Sequence, residues 1–385
     1  MDFELNEEQV AFADMARAFA QNEMEPHAAE WDQEQTFPVD VLRKAGEMGF
    51  CGLYSPEDVG GLGLSRLDSS IIFEQLAMGC TSTTAFITIH NMATWMIADF
   101  ANEDTRQHWC PDLTAGLKLA SYCLTEPGAG SDAASLKTTA RRDGDNYVLN
   151  GSKVFISGAG STDVLVVMAR TGDAGPKGIS AFAVDAQAAG IVYGKKEEKM
   201  GWNSQPTRMI TFEDTVIPAS CLMGNEGDGF KIAMKGLDGG RINIATCSVG
   251  TAQAAINKAR DYLHERKQFG KELANFQALQ FKLADMATDL VAARQMVRMA
   301  AAKLDANHPD KTTYCAMAKR FATDAGFNVA DDALQLFGGY GYIKEYPMER
   351  FVRDNRVHRI LEGTNEIMRV LIARRMLMQD TADLL

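Results

Sequence analysis

The chain has no Cys-x-x-Cys pair and no His-x-x-x-His or His-Glu-x-x-His spacing. It also has no uncharged apolar run of the ~18 residues that a membrane-spanning helix needs. A metal site therefore has no support in the sequence, and a bilayer span is not expected. The seven cysteines, at 51, 80, 110, 123, 221, 247 and 315, are scattered and odd in number. They fit reduced thiols better than a disulfide framework. Basic residues are short: 39 Lys and Arg against 51 Asp and Glu, a formal net charge of −12. With no extended basic face, nucleic acid is not an expected partner. The N-terminus opens on Asp2-Phe3-Glu4-Leu5, with neither a basic stretch nor an apolar core of a targeting segment. The expectation is a bacterial cytoplasmic protein, or a processed form from a mitochondrial matrix. Internal repeats and low-complexity tracts are missing too.

What is there is ordinary globular composition, 46% hydrophobic and 23% charged over 385 residues. That is enough for two or three domains with a sizeable core. Asn6 and Gln9 form a capping-box pattern ahead of Phe12, Met15, Ala16 and Phe19 at helical spacing. Further helices are expected over 39–49, 66–78, 83–100 and 104–115, with a glycine-broken loop at 55–63. Near Lys118 the period becomes that of short strands: 119–124, 147–149, 154–156, 164–168, 179–184 and 209–212. Asp143-Gly144-Asp145, Asn150-Gly151, Gly172-Asp173-Ala174-Gly175 and Val216-Ile217-Pro218 read as the turns between them. No helices alternate with these strands, which disfavours a doubly wound nucleotide-binding fold. From Gly229 long helices return. Leu283, Met286, Leu290, Ala293, Val297, Ala300 and Leu304 make one apolar seam, and Asn307-His308-Pro309 closes it. A helix over 312–337 ends at Gly338-Gly339. The fold class is α+β: an N-terminal helical domain (1–117), a middle β-barrel or sandwich (118–228), and a C-terminal four-helix bundle (229–385).

Five stretches carry possible chemistry. Tyr122-Cys123-Leu124-Thr125-Glu126-Pro127-Gly128-Ala129-Gly130-Ser131-Asp132 leaves a strand into a glycine-rich loop, with hydroxyls on both sides and room for backbone N–H groups to approach a ligand. Phe155-Ile156-Ser157 sets an aromatic and a hydroxyl on one strand, and taken alone reads as core rather than site. His264-Glu265-Arg266-Lys267-Gln268-Phe269-Gly270 reads as a helix cap, or as a cation beside an aromatic for a flat ligand. Gln335-Leu336-Phe337-Gly338-Gly339-Tyr340-Gly341-Tyr342 has more glycine than a helix end needs. In Ile360-Leu361-Glu362-Gly363-Thr364-Asn365-Glu366 a single carboxylate stands between apolar residues and a turn. Apolar neighbours raise a carboxyl pKa, which suits a base near neutral pH. Taken locally, Glu362 reads rather as the last charge of a solvated helix end, because structural carboxylates outnumber catalytic ones.

Together, the 122–132 run, Arg266–Gly270, Gln335–Tyr342 and the 353–366 stretch resemble the signature segments of the acyl-CoA dehydrogenase family, in order and spacing across essentially the whole chain. Ser121–Glu126, Gly201–Arg208 and Gly239–Ala245 resemble its short branched-chain members. The resemblance implies a non-covalent FAD. Tyr122, Leu124, Thr125, Gly130, Ser131, Phe155, Ile156 and Ser157 would line its ring. Arg266, Gln268, Phe269, Phe276, Gln277, Gln335, Leu336, Phe337, Gly338 and Gly339 would hold the pyrophosphate and adenine side, partly from a neighbouring subunit. Thr364, Asn365 and Glu366 would close over it. Ser131, Asp238, Gly239, Gly240, Arg241 and Arg374 match positions that contact the acyl-CoA. The family places its catalytic glutamate at one of two positions, here Glu362 and Gly240, so Glu362 is the implied base. It would remove the α-proton of the thioester, its own backbone N–H helping to hold the thioester oxygen. Electron-transfer flavoprotein is the implied acceptor and a homotetramer the implied assembly. An acyl-CoA oxidase is the rival chemistry, although oxidases of this fold usually carry a further C-terminal bundle. A flavin- or CoA-binding protein without activity is the rival of another class, and loss of the base would be its mark.

Overall fold

The computed structural model describes residues 4–378; the outermost ends of the expected first and third domains, 1–3 and 379–385, lie outside the described residues. Helices α1 (Glu7–Phe19), α2 (Ala28–Glu34), α3 (Val39–Glu47), α4 (Arg66–Gly79), α5 (Thr81–Phe100) and α6 (Glu103–Thr114) come first. The capping box forms as expected: the Asn6 side chain accepts from the Gln9 N–H at 2.8 Å, and the Gln9 side chain accepts from the Asn6 N–H at 3.2 Å. A π-helical turn, Ala20–Met24, follows α1. Helix α5 is buried on nearly every side; a helix apolar all round belongs at the centre of a fold.

The strands are β1 (Ala120–Cys123), β2 (Thr139–Asp143), β3 (Asn146–Ser157), β4 (Val164–Arg170), β5 (Ile179–Asp185), β6 (Ile191–Lys196), β7 (Thr207–Pro218) and β8 (Leu222–Met223). They make one eight-stranded sheet ordered β6-β7-β3-β2-β4-β5-β8, with β1 pairing parallel to β4. Strand β4 shows the period of two: Val164, Val166 and Met168 join a core with α5, α6 and the next helix, whereas Leu165, Val167 and Ala169 face a second core of Tyr147, Phe182 and Phe212.

Two turn expectations fail here. The chain does not reverse at Asn150-Gly151 but runs through as one long β3, with a register shift between Leu149 and Gly151. Gly151 has φ 142°, and a Cβ there would lie 2.6 Å from the Thr138 Cα, so the glycine serves a bulge under close backbone. Val216-Ile217-Pro218 is the end of β7 paired to Asn146–Val148, with proline at the last position, where a missing N–H costs little.

After the sheet come α7 (Gly229–Glu265), a small hairpin of β9 (Lys267–Gln268) and β10 (Lys271–Glu272), α8 (Gln277–Asp305), α9 (Lys311–Phe337), α10 (Met348–Arg356) and α11 (Asn365–Met376). Helices α7, α8 and α9 pack together with α4, and α10 and α11 lie on α9. Among the described residues no helix is long and apolar enough to cross a membrane.

Contacts between these layers converge on the segment that carries Glu362. Arg353 on α10 reaches Asp32 on α2 at 2.6 Å and Glu349 at 2.5 Å. The Trp202 backbone N–H donates to Asp354 at 2.6 Å, and its indole donates to His358 Nε2 at 3.1 Å. An indole only donates, so Nε2 is unprotonated. The proton then sits on Nδ1, which faces Ser248 Oγ at 2.7 Å. Burial holds His358 neutral, its pKa pushed down to about 3. This clasp ties the 201–206 segment to α7 and α10 from inside.

Candidate active site

Glu362 stands in the turn between α10 and α11, after a short 3-10 turn at Val357–Arg359. It has φ 55°, and Gly363 follows with φ 86°: two consecutive left-handed residues, the first of them carrying a side chain. Such a conformation persists only where surrounding contacts impose it. Thr364 caps α11, its side chain accepting from the Ile367 N–H at 3.3 Å. From this turn the carboxylate points inward, and Oε2 is buried with no hydrogen-bond partner.

Facing it is Gly240 on α7. A Cβ at 240 would lie 2.5 Å from Glu362 Oε2 and 3.1 Å from the Met92 sulfur on α5. The two positions that the resemblance offers for a base thus converge on one spot, and only one holds an acid. Burial raises the Glu362 pKa to about 7, with Arg241 and Lys319 pulling the other way. Tyr122, at the end of β1, has its hydroxyl buried and unpartnered. Its pKa is raised, by burial first and then by the Glu362 charge.

The neighbouring cations are buried and only partly satisfied. Arg241 pairs with Asp238 at 2.8 Å, and Asp238 also accepts from Thr312 at 2.7 Å; Arg241 Nε has no partner. Arg66 lies over the Tyr54 ring at 3.4 Å and the Trp95 ring at 5.0 Å, with Nη1 buried and unpartnered. Neither Arg66 nor Tyr54 stood out in the sequence, because only the folding of the glycine-broken loop back onto the start of α4 brings the ring under the guanidinium.

The loop after β1 is rigidly built. Glu126 and Ala129 exchange backbone hydrogen bonds at 3.0 and 3.1 Å. Buried Lys153 donates to Glu126 at 2.7 Å and to the Leu124 carbonyl at 3.1 Å. Glu126 also accepts from the Lys137 and Thr138 N–H groups at 2.6 and 2.9 Å. Gly128 and Gly130 have open space where a side chain would be, and Ser131 is exposed. Replacing Lys153 with methionine leaves Glu126 buried without its cation, so a loss of about 3–5 kcal/mol is expected, read by denaturant unfolding; unchanged stability would refute the clamp.

Phe155 is exposed with φ 60°, whereas Ile156 belongs to the core of the sheet, so only its backbone is free for a ligand. Leu124 is likewise buried. The Ser157 carbonyl accepts from Ser121 at 2.7 Å.

A second locus joins the end of α7 to the end of α9. A cavity of about 440 Å³ is lined by Arg266, Gln268, Gln335, Phe337, Gly338 and Gly339 among others. The Arg266 guanidinium stands 5.5 Å from the Tyr340 ring, and Gly338 and Gly339 again meet only open space. Leu336 and Phe337 face the helical core, Phe337 stacking on Tyr262 at 4.1 Å. On the hairpin Phe269 is 93% exposed, 6.1 Å from Phe276; Gln277 is exposed at the start of α8.

Three further expected site residues lie in and beyond this turn. The Asn365 side chain turns inward, accepting from Lys319 at 2.8 Å and donating to Thr323 and Asp324 at 3.0 Å each. This side chain anchors the turn to α9. Glu366 is exposed in the first turn of α11, its pKa lowered by the backbone N–H there. Arg374 is exposed in the last turn of α11.

Known proteins resemble the chain over nearly its whole length. Models of the acyl-CoA dehydrogenase N-terminal, middle and C-terminal domains match residues 6–117, 121–215 and 227–377. The chain is 58% identical to mitochondrial isobutyryl-CoA dehydrogenase of Bos taurus over 375 residues, 97% of this chain and 90% of that protein. A solved structure described as the electron transferring flavoprotein of Acidaminococcus fermentans superposes with a TM-score of 0.96 at 41% identity, covering 98% of this chain and 100% of that one. Another, PigA with FAD and proline, superposes at 0.94 with 28% identity, covering 98% and 99%. With models of all three domains matching in order along the chain and a relative 58% identical over 97% of it, the chain belongs to the acyl-CoA dehydrogenase family.

Proposed function

We propose that the protein removes two hydrogens from a short branched-chain acyl-CoA, with isobutyryl-CoA giving methacrylyl-CoA as the leading substrate and valine breakdown as the setting. The observation that carries this is the Glu362 carboxylate: buried, unpartnered, raised to about 7, and opposite Gly240. The 58% identical bovine isobutyryl-CoA dehydrogenase supports the acyl chain.

FAD fits the residues present. The Gly128–Gly130 loop and the Gly338–Gly339 turn leave open cradles, the Tyr122 hydroxyl lacks a partner, and Arg266 and Gln335 line the second cavity. Thr125, Ser131, Phe155 and Ser157 would hold the ring, and Arg266, Gln268, Phe269, Phe276, Gln277 and Gln335 to Gly339 the rest. When bound, FAD supplies the acceptor for the β-hydride.

The chain's own part is the proton. A thioester α-proton is weakly acidic, so its base must be poorly solvated yet ionised near neutral pH, and Glu362 meets both conditions. Arg241, with Asp238 beside it, offers local positive charge to a phosphorylated ligand in an otherwise acidic protein. Electron-transfer flavoprotein is the proposed acceptor, in keeping with the neighbour described above. The exposed Phe269 and Tyr342 suit burial between subunits of a tetramer.

The test compares kcat/KM for isobutyryl-, 2-methylbutyryl- and butyryl-CoA, with peroxide followed under air. One methylene in an apolar pocket is worth ~1–3 kcal/mol, so the three overlap, with isobutyryl-CoA first. A clear butyryl preference sinks the branched-chain assignment; stoichiometric peroxide at full rate makes the protein an oxidase.

A further inference from the structure

Lys319 lies a third of the way along α9 with no exposure at all. Its Nζ donates to the Gly363 carbonyl at 2.8 Å and to Asn365 Oδ1 at 2.8 Å. Both partners belong to the turn that carries Glu362, and the first is the carbonyl of the very next residue. Both are neutral oxygens, so the buried ammonium has no carboxylate bonded to it at these two positions. A buried charge held this way is a poor device for stability, since an apolar side chain of the same size avoids the desolvation. Glu362 and Gly363, for their part, adopt consecutive left-handed conformations that need an external hold. The grip extends through Thr323, one turn further along α9, whose hydroxyl donates to the Lys319 carbonyl at 2.8 Å and accepts from Asn365 at 3.0 Å.

We propose that Lys319 is a positioning residue for Glu362: its ammonium clamps the Gly363 carbonyl and the Asn365 side chain, fixing the base in its turn and placing a positive charge behind the carboxylate. This rests on Glu362 being the base. Within that frame Lys319 does two separable things, one geometric and one electrostatic. The charges that face it are Glu362 in the turn, Arg241 from α7, Asp324 on α9 and Glu366 on α11, while His358 beside it is held neutral. Glu362 is the strongest of the acidic ones, and the attraction is mutual: burial lifts the Glu362 carboxyl to about 7 against the pull of Arg241 and then of Lys319, and burial lowers Lys319 to about 7 against the pull of Glu362, so each keeps the other charged near neutral pH. Without the cation the carboxyl moves further up, and the acid limb of turnover moves with it to higher pH.

The test uses the holoenzyme with isobutyryl-CoA and two variants. Lys319→Met removes hydrogen bonds and charge; Lys319→Gln keeps a donor and removes the charge. Lys319→Met is expected to lower kcat about tenfold with KM within about twofold, the signature of a displaced base. Lys319→Gln recovers most of that kcat at alkaline pH, yet both variants shift the acid limb upward by about one pH unit. A readout independent of turnover is the infrared carboxyl band of Glu362, identified by its loss in Glu362→Gln and followed against pH without substrate. It titrates about one unit higher in both variants. An unshifted band together with unchanged kcat overturns the proposal, as does equal loss of kcat, KM and FAD in both variants. If Lys319→Met fails to fold, the Lys319→Gln titration alone decides. Full activity in Glu362→Gln overturns the base assignment instead, a failure the Lys319 measurements do not produce.

Discussion

Glu362→Gln lowers turnover by about 10²–10⁴-fold, the contribution of a positioned base, while the protein folds and retains FAD. Glutamine keeps the shape of the side chain and loses only the proton-accepting oxygen. In the parent protein, activity falls as pH drops through about 7, because the Glu362 carboxyl takes up a proton there; in the variant this limb disappears. Stability moves in the opposite direction. The folded-state pKa is raised, so between the ordinary carboxylate range and about 7 the folded protein holds a proton that the unfolded chain releases. Stability from the protonated form is therefore lost as pH rises through that window, and above it the buried charge is a net cost. Glutamine does not carry that cost. The variant should melt higher than the parent above pH ~7, with the gap closing as the solution is acidified. Steady-state rates and melting curves across pH check both halves. Near-parental turnover would remove Glu362 from the mechanism.

What the sequence showed well is what local rules govern. The α1 cap, the α8 seam and the helix end at Gly338 all depend on residues within a few turns of one another, and each forms as expected. The sheet was harder. Strands β2 (Thr-Ala-Arg-Arg-Asp) and β6 (Ile-Val-Tyr-Gly-Lys-Lys) are largely solvent-facing, so they lack the apolar alternation that marks a strand. Gly151 looked like a turn because a glycine's need for unusual φ is the same in a hairpin and in a bulge; only the distant Thr138 distinguishes them. The candidate site divides along the same line. Glu362 was legible as a candidate, but its burial depends on α5, α7 and α9 arriving from elsewhere in the chain. Lys319 went unnoticed, although a signal existed: it shares a helical face with Cys315, Ala322 and Gly326, all buried, and a charge on an apolar face is a group with a task. Asn365 shows the converse. Its place in a signature segment marks it for the cofactor, and only the packing of the turn on α9 shows that its side chain is committed there.

Gly240→Ala separates folding from catalysis most sharply. Glycine inside a helix is normally a weakness, and alanine improves helix propensity by about 1 kcal/mol, so on local grounds the variant should be more stable. Packing sets a counterweight: the new methyl would stand 2.5 Å from Glu362 Oε2, 2.9 Å from its Cδ and 3.1 Å from the Met92 sulfur. These are the ends of flexible side chains, not backbone, so the methyl is accommodated by swinging the carboxylate aside. Overall stability is then expected to change by no more than ~1 kcal/mol in either direction. Turnover has no such tolerance. A base acts on a proton from about 3 Å, and a displacement of around an ångström costs on the order of 10²-fold. The expected outcome is a melting temperature close to the parent's with kcat lower by about 10²-fold, and a crystal structure of the variant should show the Glu362 carboxylate rotated away from α7. A variant that keeps parental kcat with its carboxylate so displaced would mean that the position of Glu362 against Gly240, on which the proposed chemistry stands, is not the one from which it works.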